Sequence, residues 1–131
     1  MRGLQITLSE TDYNLLIQFL ETEKLSEFNK KRLTLELKNA RVVKEEYLPL
    51  NIVGCGAKVV VWNMDKNQTF TIHLVLPHEV NGREKISIYD PIALALIGYP
   101  TGAVTLWEMP DGLSTFKIVS VSQINTGRIY A

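Results

Sequence analysis

Ile86-Ser87-Ile88-Tyr89-Asp90-Pro91-Ile92-Ala93-Leu94-Ala95-Leu96-Ile97-Gly98 is the stretch on which the reading of the fold turns. Its first part belongs to an alternating run, Lys85-Ile86-Ser87-Ile88-Tyr89, which reads as a strand. Asp90 can then accept hydrogen bonds from a first helical turn. Pro91 suits that turn because its missing N–H would have found no helical acceptor, and Gly98 can end the helix. The helix between them is short and very apolar. A helix of this length is marginal alone in water, so packing onto a sheet must hold it.

The neighbouring segments supply that sheet. Downstream, Val104-Thr105-Leu106-Trp107-Glu108-Met109 and Phe116-Lys117-Ile118-Val119-Ser120-Val121 flank Pro110-Asp111-Gly112, a hairpin signal. Upstream, residues 57–62 and 70–76 flank the turn Asp65-Lys66-Asn67 and form a second hairpin. The fold class that follows is α+β, a twisted antiparallel sheet clasping one short helix.

The first 46 residues have a different texture. Ser9 is a candidate N-cap for a helix over about residues 10–23, with Glu10 and Asp12 in its first turn and Leu15, Leu16, Phe19 and Leu20 in one stripe. Ser26 can cap a second helix whose apolar positions are Phe28, Leu33, Leu37 and Ala40. The expectation is an antiparallel helical hairpin, a short coiled coil, connected near Glu23-Lys24-Leu25. Pro49 breaks the helical period, and the domain division is placed at 1–46 and 47–131.

Composition narrows the classes of function. Hydrophobic residues make up 46% and charged residues 21% of 131 residues, the balance of a soluble globular chain. Fourteen basic and fourteen acidic side chains give no excess of positive charge, which argues against direct, sequence-specific binding of nucleic acid. Cys55 is the single cysteine, so no intramolecular disulfide forms, and no Cys/His cluster has metal-ligand spacing. No apolar run reaches the length of a membrane span or a signal core, and a cytoplasmic protein is expected.

The order of these motifs resembles the C-terminal domain shared by the Gre transcript-cleavage factors and Rnk, the regulator of nucleoside diphosphate kinase. The residues that carry the likeness are Pro91, Ala95-Leu96-Ile97-Gly98, Gly102 and the final hairpin, within a span of about residues 40 to 122. The resemblance implies an FKBP-like fold. It further implies a transcription elongation factor that docks on the rim of the RNA polymerase secondary channel, with the helical hairpin directed towards that channel. The polymerase-binding segment carried over in this way is Tyr89, Asp90 and Pro91, with Asp90 standing where the Gre wording has Ser.

The hairpin sets the subfamily. A helix of about 14 residues is only ~21 Å long, too short to cross the channel, and Glu21, Glu23 and Glu27 near its tip do not make the Gre tip motif. An Rnk-like protein that binds without stimulating cleavage is therefore expected: a non-enzyme with no metal and no cofactor, and a monomer. The bland reading of the three glutamates is a solvated loop beside lysines, the commoner case. For Asp90 it is a helix cap alone.

Two other functions compete. The fold and the aromatic residues Trp62, Phe70, Trp107 and Phe116 admit an FKBP-like peptidyl-prolyl isomerase, although strand aromatics most often belong to a core. The apolar stripe of the hairpin admits self-association or another protein partner. His73 and His78 lack a sequence partner for a catalytic triad.

Overall fold

A computed structural model describes residues 5–22, 25–82 and 84–123. Strand β1 (Thr7–Ser9) leads into α1 (Glu10–Leu20), followed by α2 (Glu27–Lys38) and β2 (Arg41–Val43). After a 3-10 turn (Glu45–Tyr47) come β3 (Ala57–Asn63), β4 (Gln68–Val75), a second 3-10 turn (Pro77–Glu79), β5 (Lys85–Ser87), α3 (Pro91–Leu96), β6 (Val104–Met109) and β7 (Gly112–Gln123).

All three helices begin at the caps expected from sequence. Ser9 Oγ accepts from the Asp12 N–H at 3.1 Å, Ser26 Oγ from Asn29 at 3.2 Å, and Asp90 Oδ1 from Ile92 at 3.1 Å. Each side chain satisfies one of the first-turn donors that a helix leaves without an acceptor. Helix α3 ends at Gly98, whose φ is +89°. A Cβ built there would lie 2.8 Å from Ile6 Cβ, so glycine is required for space as well as for backbone conformation.

The main sheet has the order β5-β4-β3-β7-β6. Strand β3 buries Ala57, Val59, Val61 and Asn63 on one face in strict alternation. The β3–β7 register shifts between Val60, opposite Ser120, and Val61, opposite Ile118, leaving Val119 as an extra residue on β7. Such a bulge bends and twists the strand, curling the sheet over α3. The β6–β7 hairpin closes at Met109 opposite Gly112, as the turn residues indicated.

The wholly antiparallel sheet expected from sequence needs correction. Strand β5 pairs parallel with β4, His73 opposite Lys85 and Val75 opposite Ser87. Alternation identified β5 as a strand but carries no information on direction, which depends on how the connection from β4 returns to the sheet. A second pairing was also missed: β1 and β2 run parallel, Thr7 opposite Arg41, and join the two ends of the helical segment. Three residues per strand leave too short a pattern to read.

Helices α1 and α2, 11 and 12 residues long, are shorter than the expected 14. They pack against one another and also onto the sheet: Leu16, Leu33 and Leu37 share one core with Val59, Leu94, Trp107 and Phe116. The change of composition near residue 46 therefore marks a change of secondary structure without a break in packing. Phe28, expected on the apolar face, is 40% exposed. The inward face of α2 instead carries Asn29, Leu33 and Leu37, because it lies along a sheet edge with backbone groups to satisfy. No helix among the described residues is long and apolar enough to cross a membrane.

Candidate docking cleft

The sequence segment Tyr89-Asp90-Pro91 turns from β5 into α3, and its Tyr89 and Pro91 line one wall of a cleft. Asp90 is held by the helix it caps, and its own N–H donates to the Ser87 carbonyl at 2.9 Å. Pro91 occupies the first helical position, which fixes its φ without loss of a hydrogen bond. Both stay partly exposed beside Ile92, which is buried.

Tyr89 is anchored to α1. Its ring stacks on Phe19, with centroids 4.5 Å apart and planes inclined by 17°. Its hydroxyl donates to the Leu15 carbonyl at 3.1 Å. Partial burial raises the pKa of this phenol above its ordinary value.

The facing wall is Glu108-Met109-Pro110 at the end of β6. Asn29 of α2 holds Glu108 through both backbone polar atoms, Nδ2 donating to the carbonyl at 2.7 Å and Oδ1 accepting from the N–H at 2.9 Å. Arg32, one turn further along α2, donates to the Leu106 carbonyl on the same strand edge. Its guanidinium also meets Glu36 at 3.0 Å and the Tyr99 hydroxyl at 3.2 Å. Tyr99 in turn donates to Glu36. Burial, followed by the charge of Glu36, pushes the Tyr99 hydroxyl up to about 12. Burial also raises Glu36, against the opposing pull of Tyr99 and Arg32.

Between these walls lies a cleft of about 520 Å³, lined by Phe19, Leu25, Tyr89, Pro91, Trp107 and Glu108 among others. Trp107 is 1% exposed. Its indole N–H is one of two buried side-chain polar groups among the described residues with no hydrogen-bond partner, the other being the Thr105 hydroxyl. A buried donor without an acceptor is uncommon in folded proteins. The cleft thus combines apolar walls, a backbone turn at a helix start, and the carboxylate of Glu108, which pairs with no described cation.

Of the three glutamates expected at a hairpin tip, Glu21 and Glu27 do not line this cleft. Glu21 is exposed at the end of α1, and Glu27 is exposed in the first turn of α2 near Lys30 and Lys31. Glu23 lies outside the described residues. Sequence reading singled out Tyr89, Asp90 and Pro91 and gave no role to Asn29, Arg32, Glu36 or Tyr99, whose side chains tie α2 to the edge of β6 and to one another. A run of polar residues on one helix face was the available signal, and it could equally have marked solvent exposure.

Of the strand aromatics, Trp107 and Phe116 are buried in the core. Phe70 and Phe116 also line a second, mostly apolar cavity of about 370 Å³ with Ile92 and Met109, where Lys66 meets Asp111 at 2.5 Å. No group of three or more metal-capable side chains occurs among the described residues.

Residues 48–123 match a family model described as transcription elongation factor, GreA/GreB, C-term. Transcription elongation factor GreA of Acetivibrio thermocellus is 35% identical over 86 residues, 65% of this chain and 54% of the relative. GreA of Clostridium novyi is 37% identical over 86 residues, with the same coverage. The chain therefore spans about half the length of the curated relatives it matches. The solved structure of a prokaryotic transcription elongation factor GreA/GreB from Nitrosomonas europaea superposes with a TM-score of 0.68 at 31% identity, covering 92% of this chain and 99% of that one.

Proposed function

The chain belongs to the GreA/GreB family, and on that premise we propose that it is a transcription regulator that binds RNA polymerase through the Tyr89–Glu108 cleft. The observation that carries the reading is the pose of Pro91: it lies partly exposed at the helix start that Asp90 caps, and it lines a cleft together with Tyr89, Trp107 and Glu108. A fixed, partly apolar surface with few ordered polar groups suits protein docking, because little entropy is lost when it binds. The rim of the secondary channel is the place of docking this reading adopts, in a cytoplasmic protein.

The finer part of the proposal is an Rnk-like role without stimulation of transcript cleavage. Helices of 11 and 12 residues are about 16 to 18 Å long, and their inner faces are committed to the sheet domain. Such a helical pair would reach the entrance of a channel and not its catalytic end.

Core polymerase retained by the tagged protein tests the docking. Asp90→Arg together with Pro91→Ala should abolish retention, and failure of the wild-type protein to bind at low salt would sink the proposal. Release of transcripts from a backtracked complex tests the second part, where a rate above the intrinsic one would contradict it.

The cavity at Phe70, Ile92, Met109 and Phe116 favours a second reading, an isomerase acting on prolyl peptides. Turnover of a proline peptide at the uncatalysed rate would remove it.

A further inference from the structure

We infer that Phe19 and Asn29 are positioning residues for the docking cleft: each N-terminal helix grips one of its walls, so that the seat of the helical pair sets the spacing between them. This inference rests on the docking role proposed for the cleft. Helix α1 holds the Tyr89 wall by the Phe19 stack and the hydrogen bond to the Leu15 carbonyl. Helix α2 holds the Glu108 wall by the paired hydrogen bonds of Asn29, with Arg32 fixing Leu106 two residues earlier. No other described residue supplies Glu108 with a side-chain partner at both backbone atoms.

The two grips are mechanically joined. Leu16 of α1 and Leu33 and Leu37 of α2 lie in one core, and β1 pairs with β2 at the far ends of the two helices. A close-packed unit of this kind transmits a displacement at one wall to the other. A partner that inserts an apolar side chain between Pro91 and Trp107 would meet walls already set apart at their bound spacing.

The test has two arms. In the free protein, amide hydrogen exchange is followed at both walls in Asn29→Ala and Phe19→Ala. Asn29→Ala should speed exchange at Glu108, which loses its acceptor, and also at Tyr89 on the opposite wall. Phe19→Ala should do the same in reverse, while Phe19→Tyr, which keeps the stack, should restore wild-type exchange. Changes confined to the mutated wall would overturn the inference whether or not polymerase binds. Should Asn29→Ala fail to fold, Asn29→Asp keeps the acceptor and drops the donor.

In the second arm, affinity for core polymerase should fall about 5- to 20-fold in Asn29→Ala and Phe19→Ala, the range of a modest coupling between sites, and recover in Phe19→Tyr. Wild-type affinity in both alanine variants, with loss in Asp90→Arg, refutes the positioning role and leaves the docking site intact. No binding by the wild-type protein refutes the docking site, and the exchange arm still decides whether the walls are coupled.

Discussion

Asn29 meets Glu108 as a neighbouring strand would, its side-chain amide donating to the backbone carbonyl at 2.7 Å and accepting from the backbone N–H at 2.9 Å. Strand β6 is the last in the sheet, with β7 on one side only. A bare edge offers unpaired backbone groups to any passing strand. Here α2 covers that edge with Asn29 at Glu108 and Arg32 at Leu106, which explains why a helix with a weak apolar stripe nonetheless lies flat against the domain.

Asn29→Ala should therefore destabilise the fold by about 2 kcal/mol, since two hydrogen bonds are lost and partly buried backbone groups are left without partners. Asn29→Asp keeps the acceptor for the Glu108 N–H and should cost less. Urea midpoints of the two variants check the ordering. Equal midpoints for Asn29→Ala and wild type would mean that water replaces the amide without penalty.

Gly98 and Gly102 share a left-handed backbone, with φ of +89° and +92°, but differ in surroundings. A Cβ at Gly98 meets Ile6 and Leu8, the nearest atom at 2.8 Å, whereas at Gly102 nothing lies within 4 Å. Gly102→Ala should cost about 1 kcal/mol for the backbone alone. Gly98→Ala should cost several times that, because β1 must shift as well, and its melting temperature should fall well below that of Gly102→Ala.

Tyr99 gives stability an alkaline limit. Its folded-state pKa, raised to about 12, lies above the ordinary phenol value of 10.0, so the unfolded chain loses this proton first as pH rises. Stability supplied by the protonated phenol is fully present below pH 10 and is lost between 10 and about 12. Tyr99→Phe should flatten this limb in denaturant titrations at graded pH. A smaller slope should remain, because Tyr89 is shifted in the same direction. An unchanged slope in Tyr99→Phe would show that the hydroxyl is not held by Glu36 and Arg32.

Asp90 has a local task and a proposed one, and Asp90→Asn separates them. Asparagine caps helices about as well as aspartate, so the melting temperature should stay close to that of the wild type. Polymerase binding should weaken several-fold if the carboxylate meets a cation on the partner, and the salt dependence of binding should become shallower. Asp90→Ala should lose both, with about 1 kcal/mol taken from the fold.

Much of the architecture could be read along the chain because it rests on short-range rules. Ser9, Ser26 and Asp90 announced three helix starts, and Pro110-Asp111-Gly112 announced a hairpin, since a cap or a tight turn is settled by residues two or three apart. The alternation in β3 announced its buried face. Helix lengths were read too long, as no Gly or Pro follows Leu20 to mark a stop while the hydrogen-bonded helix ends there.

The sequence by itself determined the three helix starts, the strands of the main sheet, the turn at Tyr89-Asp90-Pro91 and the even balance of charge. Tertiary structure alone decided the parallel direction of β5, the β1–β2 pairing and the seating of α1 and α2 on the sheet domain. It also decided the partners of Asn29 and Arg32, which lie 79 and 74 residues away in the chain. Those contacts follow from which backbone groups a sheet edge leaves unpaired, and that edge exists only once the strands have assembled.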